Sequence, residues 1–268
     1  MGERLRGRRV LVTGAARGLG ASAAWGLAEE GAECILLDRS RDELETTVEV
    51  AADRGPGPFH PLVCDLSRRE STLEAAARAR EIARGDLGAL VHCAAIMHLT
   101  AVEETTGAQL DEMLEVNLTA AFLLVRDLMP ELRAGSGGSV LLTSSRAGIS
   151  GFANEAVYCA TKFGTEGLAK ALAEECGGAG ILANTITPGA GRIKPTGLSR
   201  ADEAAIPAEK RAWGSSEALG PAFAAFALLP GFEGAPNGHR FEADRVADAV
   251  RVRGLPLPAD AWAELSSL

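Results

Sequence analysis

The most constraining stretch of this sequence is a glycine-rich turn between an apolar strand and a helix. Residues 9–13 form a short β-branched run that predicts a buried strand, and residues 21–31 are rich in helix formers. Between them stand Gly14, Gly18 and Gly20, in the spacing G-x-x-x-G-x-G. Such a turn lets backbone N–H groups and a helix N-terminus face a phosphate. Glycine clusters are often only turns, but this strand–turn–helix context favours nucleotide binding.

An acidic residue closes the second predicted strand. Asp38 stands where a carboxylate can accept hydrogen bonds from an adenosine ribose, and it would repel a 2′-phosphate. It therefore favours NAD over NADP, although the cations of Arg17 and Arg39 could weaken that repulsion. The alternative is that Asp38 only caps the next helix, which Ser40 and Asp42 begin.

Strand and helix patterns alternate along the rest of the chain. Strands are predicted at 32–37, 59–64, 87–93, 139–143 and 181–187, with a last short one at 238–243. Helices are predicted at 41–54, 107–133, 156–176 and 217–229, with a weak one at the C-terminus and another capped by Ser67 that ends near Arg84. This order predicts an α/β chain of Rossmann type, with a doubly wound parallel sheet in a single domain over 1–268. The irregular stretch 190–216 suits a flap over a site.

Composition excludes several classes of function. The formal charge is 27 − 36 = −9, which argues against the basic face that nucleic-acid binding requires. Five cysteines without a C-x-x-C pair and four scattered histidines predict no metal site and a reduced, cytoplasmic protein. No apolar run reaches membrane-spanning length, and residues 1–9 lack an apolar signal core.

A tyrosine and a lysine four residues apart carry the chemistry. Tyr158 is the only tyrosine, and Lys162 would lie on the same helical face one turn away. A cation beside a phenol favours the phenolate and lowers the phenol's pKa towards neutral pH. Ser144 and Ser145 end the preceding strand, where a hydroxyl can point out of the sheet. The Y-x-x-x-K spacing alone is also compatible with an ordinary surface pair.

The motifs occur in the order T-G-x-x-x-G-x-G, Asp38, Asn117, Ser145, Tyr158-x-x-x-Lys162 and Pro188-Gly189. Together they strongly resemble the compact branch of the short-chain dehydrogenase/reductase family, closely over residues 8–188 and loosely beyond. The resemblance implies hydride transfer between a nicotinamide cofactor, NAD with NADP possible, and a secondary alcohol or ketone.

The resemblance also implies roles for single residues. Tyr158 would be the general acid/base, Ser145 would hydrogen-bond the substrate oxygen, and Lys162 would lower the tyrosine pKa and hold the nicotinamide ribose. Asn117 would anchor a water in a proton relay. The cofactor would be bound by Gly14, Arg17, Gly18, Leu19, Asp38, Arg39, Asp65, Leu66, Ala94, Tyr158, Lys162, Pro188, Gly189 and Thr196. Family members commonly pair helices 107–133 and 156–176 across subunits, which implies a dimer or tetramer.

The chain departs from the family pattern at three places. His92-Cys93-Ala94-Ala95 replaces N-N-A-G, so the contacts of the two asparagine side chains are expected to be absent. The spacing from Pro188-Gly189 to Thr196 is longer than usual. Residues 237–241 stand in place of the usual aspartate-glycine-glycine near the C-terminus, which weakens any inference about tetramer contacts.

Two other readings of the function remain open. An NADP-dependent 3-oxoacyl-thioester reductase is one, and Asp38 disfavours it. A non-catalytic NAD-sensing or scaffold protein on the same fold is the other, and the four catalytic residues count against it.

The substrate is not specified by the sequence. Three cations could recognise an anion or be solvated, namely Arg146, Arg192 and Lys194. Three apolar residues could line a pocket or belong to the core, namely Met97, Phe152 and Trp213.

Overall fold

The computed structural model describes residues 2–135, 137–189 and 216–266 of the chain. Within these residues one parallel sheet has the strand order β3-β2-β1-β4-β5-β6-β7. The strands are β1 (Arg9–Thr13), β2 (Glu33–Asp38), β3 (Phe59–Val63), β4 (Ala89–His92), β5 (Gly138–Thr143), β6 (Ile181–Thr187) and β7 (Arg240–Glu242). The helices are α1 (Gly18–Glu29), α2 (Arg41–Arg54), α3 (Arg69–Ala83), α4 (Gly107–Leu114), α5 (Ala120–Arg133), α6 (Ala156–Cys176), α7 (Gly220–Ala227), α8 (Ala243–Arg253) and α9 (Ala259–Ser266).

The sheet is covered by helices on both faces, which makes this a doubly wound Rossmann-type domain, as predicted. Successive strand residues point to opposite faces, and β1 shows the effect. Val10 and Val12 pack into the core formed with α1, α2 and α7 to α9. Leu11 packs into the other core, formed with α3, α5 and α6. Burial on both faces explains the apolar runs of β1, β2 and β4, whereas β3 at the edge of the sheet is partly exposed.

An aromatic cluster holds the C-terminal part of the described chain against the sheet. The rings of Phe226, Phe241 and Trp262 lie in α7, β7 and α9, with centroids 5.0 to 5.4 Å apart. All three side chains are buried. Tilted and edge-on aromatic pairs add to the stabilisation from buried area, so this cluster fixes β7 at the edge of the sheet.

The strand order reverses at β1: β2 and β3 lie on one side of it, and β4 to β7 lie on the other. The chain runs from β1 outward to β2 and β3, then returns to β4 on the other side of β1. Connections leaving two neighbouring strands on opposite faces open a crevice at the carboxyl edge. The fold therefore places Thr13, Asp38 and His92 around one opening.

The predicted elements are confirmed with small shifts, apart from the cap of α3, the additional helix α8 and the long helix at 107–133. Ser67 does not cap α3; its hydroxyl donates to Asp65 Oδ1 at 2.8 Å, and Arg68 precedes the helix without a side-chain cap. Helix α8 was not predicted. It follows β7 directly, without the polar turn that would mark its start. The predicted flap 190–216 lies outside the described residues except for Ser216.

The long helix predicted at 107–133 is interrupted in the middle. A π-helical turn spans Glu115–Thr119 between α4 and α5, and Asn117 lies at its centre. Such turns inside α-helices occur often at functional sites, because the extra residue reorients nearby groups. Asn117 is buried, so the reason for an asparagine here lies in its contacts.

The crossing of α1 and α7 gives a prediction about stability. A Cβ on Gly26 would lie 2.3 Å from the backbone carbonyl of Gly220, so the two helices touch through glycine backbone. We expect Gly26→Ala to lower the free energy of unfolding by about 1–3 kcal/mol, because overpacking outweighs the better helix propensity of alanine. The measurement is the chemical denaturation midpoint and slope of both proteins.

Gly107→Ala is the matched control. Gly107 begins α4, is exposed, and has open space where its Cβ would lie. Its replacement should leave the free energy of unfolding within about 0.5 kcal/mol of wild type or raise it. A stabilised Gly26→Ala protein would contradict the close helix crossing.

Candidate active site

A cavity of about 430 Å³ opens at the carboxyl edge of the sheet. Its walls come from the ends of β1 to β6 and from the start of α1 and α6. Thirteen of the predicted site residues line it: Gly14, Arg17, Gly18, Leu19, Asp38, Arg39, Asp65, Leu66, Ala94, Ser145, Tyr158, Lys162 and Pro188. One continuous opening thus joins the glycine turn to the tyrosine and lysine.

The glycine turn is packed where the backbone passes close to itself. A Cβ on Gly14 would lie 2.7 Å from Ala94 N, and one on Gly20 would lie 2.1 Å from Gly14 O. Gly14 and Gly18 also have φ values of 65° and 57°, which glycine adopts most readily. Space beside Gly18 is open, so a diphosphate can approach the backbone and the N-terminus of α1 there. The donor set therefore fits a dinucleotide.

Asp38 is held by backbone amides at the cavity wall. Its carboxylate accepts hydrogen bonds from Ala16 N and Ser40 N, both at 3.1 Å. Ser40 precedes α2, and no side chain caps that helix, so the bond from Ser40 N orients Asp38 rather than making it a helix cap. Arg17 lies 3.9 Å from Glu43, and only Arg39 is fully exposed. Arg17 and Arg39 are the two cations expected to weaken the repulsion between Asp38 and a 2′-phosphate. The Glu43 carboxylate offsets the charge of one of them, Arg17.

The side chains of His92 and Cys93, which stand in place of the family's two asparagines, make contacts with the neighbouring strands. Thr13 Oγ1 lies 2.9 Å from His92 Nδ1 and accepts a hydrogen bond from Ala94 N at 3.3 Å. Thr143 Oγ1 donates to Cys93 Sγ at 3.3 Å. Burial lowers the pKa of His92 to about 3, so its ring is neutral and can accept the threonine proton. The pair thus joins β4 to β1 and β5 through contacts of its own.

Ser145, Tyr158 and Lys162 converge at one end of the cavity. Lys162 is 1% exposed, and its Nζ donates to Thr143 O at 2.8 Å, at the carboxyl end of β5. The same Nζ lies 5.7 Å from the centroid of the Tyr158 ring. Ser145 begins the turn after β5, where its Oγ accepts a hydrogen bond from Ala147 N at 3.2 Å. A substrate oxygen at this end could meet the serine and tyrosine hydroxyls together.

The pKa values at this end differ from the expected pattern. Burial raises the pKa of Tyr158, the nearby carboxylate of Glu155 raises it further, and hydrogen bonding to Ser145 opposes the rise. Burial lowers the pKa of Lys162 to about 8, against opposing effects of Cys93 and Glu166. Taken together, the protein's own groups raise the pKa of Tyr158, and the lowering expected from Lys162 is not among their effects; Lys162 itself remains largely charged at neutral pH.

Asn117 does not line the described part of the cavity. Its Oδ1 accepts from Ile96 N at 2.8 Å, and its Nδ2 donates to Ile96 O at 2.9 Å and to Thr161 Oγ1 at 3.1 Å. The amide group is thereby fully engaged between the segment after β4 and helix α6. Ile96 lines the cavity and Thr161 precedes Lys162, so the side chain of Asn117 ties the cavity wall to helix α6.

The remaining predicted residues fall into three groups. Gly189 lies beside the cavity lining, at a φ of 100° and close to the Asp244 carboxylate. Met97 lines the cavity, whereas Phe152 is partly exposed under the guanidinium of Arg146. Four predicted residues lie outside the described part of the chain: Arg192, Lys194, Thr196 and Trp213.

Several lining residues were missed by the sequence reasoning. Among them are Ile96, Glu155, Cys64, Cys93 and Val116. Glu155 stands one helical turn before Tyr158, which is a signal that could have found it. The others have no local signature.

Two classes of feature are missing from the described residues. Nowhere in 2–135, 137–189 and 216–266 do three or more histidine, cysteine or acidic side chains form a metal-binding group. Over the same residues, no helix combines the length and the hydropathy needed to cross a bilayer.

Comparison with known proteins agrees with this geometry. The model of the short chain dehydrogenase family matches residues 8–204. A D-threitol dehydrogenase of Mycolicibacterium smegmatis is 34% identical over 186 residues, which cover 69% of this chain and 70% of the relative. A 2,5-dichloro-2,5-cyclohexadiene-1,4-diol dehydrogenase of Sphingobium indicum is 38% identical over 190 residues, which cover 70% of this chain and 75% of the relative.

Solved structures extend the likeness over most of the chain. A short chain dehydrogenase from Shigella flexneri superposes with a TM-score of 0.76 and 27% identity, covering 91% of this chain and 93% of its own. A metagenomic short-chain oxidoreductase in complex with NADP has a TM-score of 0.64 and 32% identity, covering 70% and 84%. The chain therefore belongs to the short-chain dehydrogenase/reductase family, the NAD(P)-dependent oxidoreductases that act on CH–OH groups.

Proposed function

We propose that this enzyme interconverts a secondary alcohol and a ketone, prefers NAD, and uses Tyr158 as general acid/base. The observation that carries the proposal is the convergence of Ser145, Tyr158 and Lys162 at one end of a cavity whose other end is the glycine turn. The alternative of a non-catalytic NAD-binding protein does not account for a buried lysine beside a half-buried phenol, since burial of the ammonium costs stability.

The residues divide the proton chemistry between them. In the oxidation direction Tyr158 Oη takes the proton of the substrate hydroxyl, while Ser145 Oγ donates a hydrogen bond to the same oxygen. The ammonium of Lys162 then stabilises the charge that develops on this pair of oxygens, inside a site that burial makes poor in water. A bound oxidised nicotinamide would accept the hydride and add a positive charge near the phenol.

Asn117 has a supporting role in this proposal. Its bonds to Ile96 and Thr161 hold the cavity wall and the start of helix α6 at fixed separation. Since Thr161 directly precedes Lys162, this contact fixes the ammonium relative to the segment after β4. We therefore assign Asn117 as a positioning residue.

The preference for NAD rests on Asp38. Its carboxylate is held at the cavity wall by two backbone amides, so it cannot turn away easily from a 2′-phosphate. Arg17 lies near Glu43, which weakens its value as a phosphate ligand. The related metagenomic oxidoreductase was solved in complex with NADP. In this chain, Asp38 supports a preference for NAD.

The first substrates to screen are polyols and diols. Two relatives are named for D-threitol and for a cyclohexadiene diol, compounds with more than one hydroxyl. Glu155 lines the substrate end, half-buried and near Tyr158, and a carboxylate there can accept a hydrogen bond from a second hydroxyl. Met97 and Ile96 supply an apolar wall for the carbon skeleton.

We also propose a cytoplasmic homo-oligomer. Three large apolar side chains are substantially exposed on the long helices, namely Leu110 at 40%, Phe122 at 51% and Phe163 at 50%. They lie on α4, α5 and α6, the helices expected to pair across subunits, which supports a dimer or tetramer. The five cysteines are free thiols, in keeping with a reducing compartment.

Replacing the phenol tests the general acid/base. Tyr158→Phe removes the hydroxyl that exchanges the proton, and we expect kcat to fall by about 10²- to 10⁴-fold. The affinity for NADH should change little, because the ring and Lys162 remain in place. Steady-state kinetics with the best polyol, together with an NADH fluorescence titration, measures both quantities.

Val157→Ala, at the neighbouring position on α6, serves as the control and should keep most of the activity. Near wild-type turnover in Tyr158→Phe would show that another group carries the proton. Failure of either variant to bind NADH would point to a folding defect, and circular dichroism would identify it.

Separate titrations with NADH and NADPH test the role of Asp38. We expect tighter binding of NADH, and we expect Asp38→Ala to narrow the difference between the two dissociation constants because a repelling charge is removed. Asp42→Ala, on the first turn of α2, is the matched control and should keep the preference. Tighter NADPH binding by the wild type would instead favour the thioester reductase.

Glu155 should set the pH dependence of oxidation. The phenolate is the basic form, so kcat for oxidation should rise with pH through the pKa of Tyr158, which Glu155 raises. Glu155→Gln removes that negative charge and should shift the rising limb to lower pH. The check is a pH–rate profile beside that of Glu174→Gln, an exposed site on the same helix, which should match wild type. An unshifted profile in Glu155→Gln would exclude this electrostatic role.

A further inference from the structure

A partly buried ion pair lies against the segment that carries Ser145, outside the lining of the cavity. Arg240 Nη1 donates to Ser144 Oγ at 3.1 Å, and Arg240 Nη2 donates to Ser145 O at 2.9 Å. The same guanidinium forms an ion pair with Glu166. Neither Arg240 nor Glu166 is among the cavity-lining residues. The arginine thus holds both serines at the end of β5 from outside the cavity.

Four elements converge on this pair. Arg240 begins β7 and is in register with Thr185 of β6, so their side chains share one face of the sheet. Thr185 Oγ1 donates to Glu166 Oε2 at 2.8 Å, from strand to helix. Glu166 lies one turn after Lys162 on α6, which packs over the same face. The end of β5 adjoins β6 through a bond of 2.8 Å from Ser144 N to Ile186 O.

The turn that follows Ser145 is packed onto the ion pair without spare room. A Cβ on Gly148 would lie 2.6 Å from Ser144 Oγ, 3.1 Å from Glu166 Cγ and 3.1 Å from Lys162 O. The short helical turn Arg146–Gly148 therefore rests directly on these groups. A movement of Glu166 or Ser144 would be transmitted to the peptide that orients the Ser145 hydroxyl.

The two charges depend on each other because both are largely removed from water. The side chain of Arg240 is 21% exposed and that of Glu166 is 12% exposed. Removal of one partner from such a pair leaves an uncompensated charge, which surrounding groups must shift to solvate. Without Arg240, the Ser145 carbonyl also loses its guanidinium donor, so the serine peptide is held less firmly.

We propose that Arg240 is a positioning residue for the reaction. Through Ser144 Oγ, Ser145 O and Glu166 it fixes the serine peptide so that the Ser145 hydroxyl faces Tyr158. This inference rests on the proposed function, because Ser145 matters only if the site handles a substrate oxygen there. It assigns a role in catalysis to the edge strand β7, which does not reach the cavity lining.

The main test compares Arg240→Met with Arg240→Lys. A displaced serine stabilises the transition state less, so we expect Arg240→Met to lower kcat by about 10- to 100-fold. KM should change by no more than about threefold and the Kd for NADH should stay constant, because uniform binding is kept. Arg240→Lys restores the charge beside Glu166 without the two-armed donor, and its kcat should fall between Arg240→Met and wild type.

Arg80→Met is the matched control. Arg80 pairs with the buried Glu131 at 2.9 Å, between α3 and α5 and near the start of β4 rather than the catalytic end. It should lower the thermal unfolding temperature comparably while kcat per NADH-binding site remains within about twofold of wild type. Equal losses of kcat in Arg80→Met and Arg240→Met would reduce Arg240 to a stability role.

Two further outcomes decide the proposal. Wild-type kcat per NADH-binding site in Arg240→Met would overturn it, even if the variant melted earlier. Should Arg240→Met fail to fold, Arg240→Lys decides: a loss of kcat with unchanged NADH affinity supports the role, and full activity refutes it. An active Tyr158→Phe enzyme would instead overturn the proposed function, so the two failures are distinguishable.

Discussion

The catalytic end of this molecule depends on the burial of a single ammonium group. Lys162 is 1% exposed, and its Nζ is held by the carbonyl of Thr143 at the end of β5. A buried charge requires compensating groups nearby. The carbonyl of Thr143 accepts a hydrogen bond from the ammonium, and the carboxylate of Glu166 lies one helical turn away. If helix α6 slid along β5, the ammonium would lose its hydrogen bond to Thr143 and would face apolar groups instead. The contact that fixes α6 against β5 therefore also fixes Tyr158, which lies on the same helix.

The burial of Lys162 also costs stability, with a sign that follows from its pKa. Folding lowers that pKa from 10.5 to about 8, so between these values the unfolded chain binds more protons and stability rises with pH. At neutral pH the folded protein carries the full cost of a buried ammonium. A group that destabilises the fold under working conditions is typical of a site shaped by its chemistry. Two nearby buried side chains are uncharged and bonded to neighbouring hydroxyls, Asn117 to Thr161 and His92 to Thr13.

Local sequence patterns predicted most of the fold and the centre of the site, and long-range pairings set the rest. The glycine turn and the Tyr158–Lys162 spacing are short-range, so the chain alone specifies them. The contact of His92 with Thr13 depends on β4 lying beside β1, and Arg240 reaches Ser144 only because β7 lies beyond β6. Helix α8 escaped prediction because it leaves β7 without a turn. Asn117 was recognised as unusual, yet only the structure shows that its amide joins Ile96 to Thr161.

One end of the cavity is built mainly from backbone and the other mainly from side chains. This difference decides which residues each end tolerates. The end at the glycine turn is built from backbone at Gly14 and Gly18, where a side chain would collide or strain the turn. The catalytic end is built from side chains, and there the supporting contacts can be made by other chemistry. In this chain His92 and Cys93 join β4 to its neighbours where the family pattern has asparagines. Arg240 extends the same principle to the edge of the sheet, because its guanidinium donates hydrogen bonds to two successive serine residues at the end of β5.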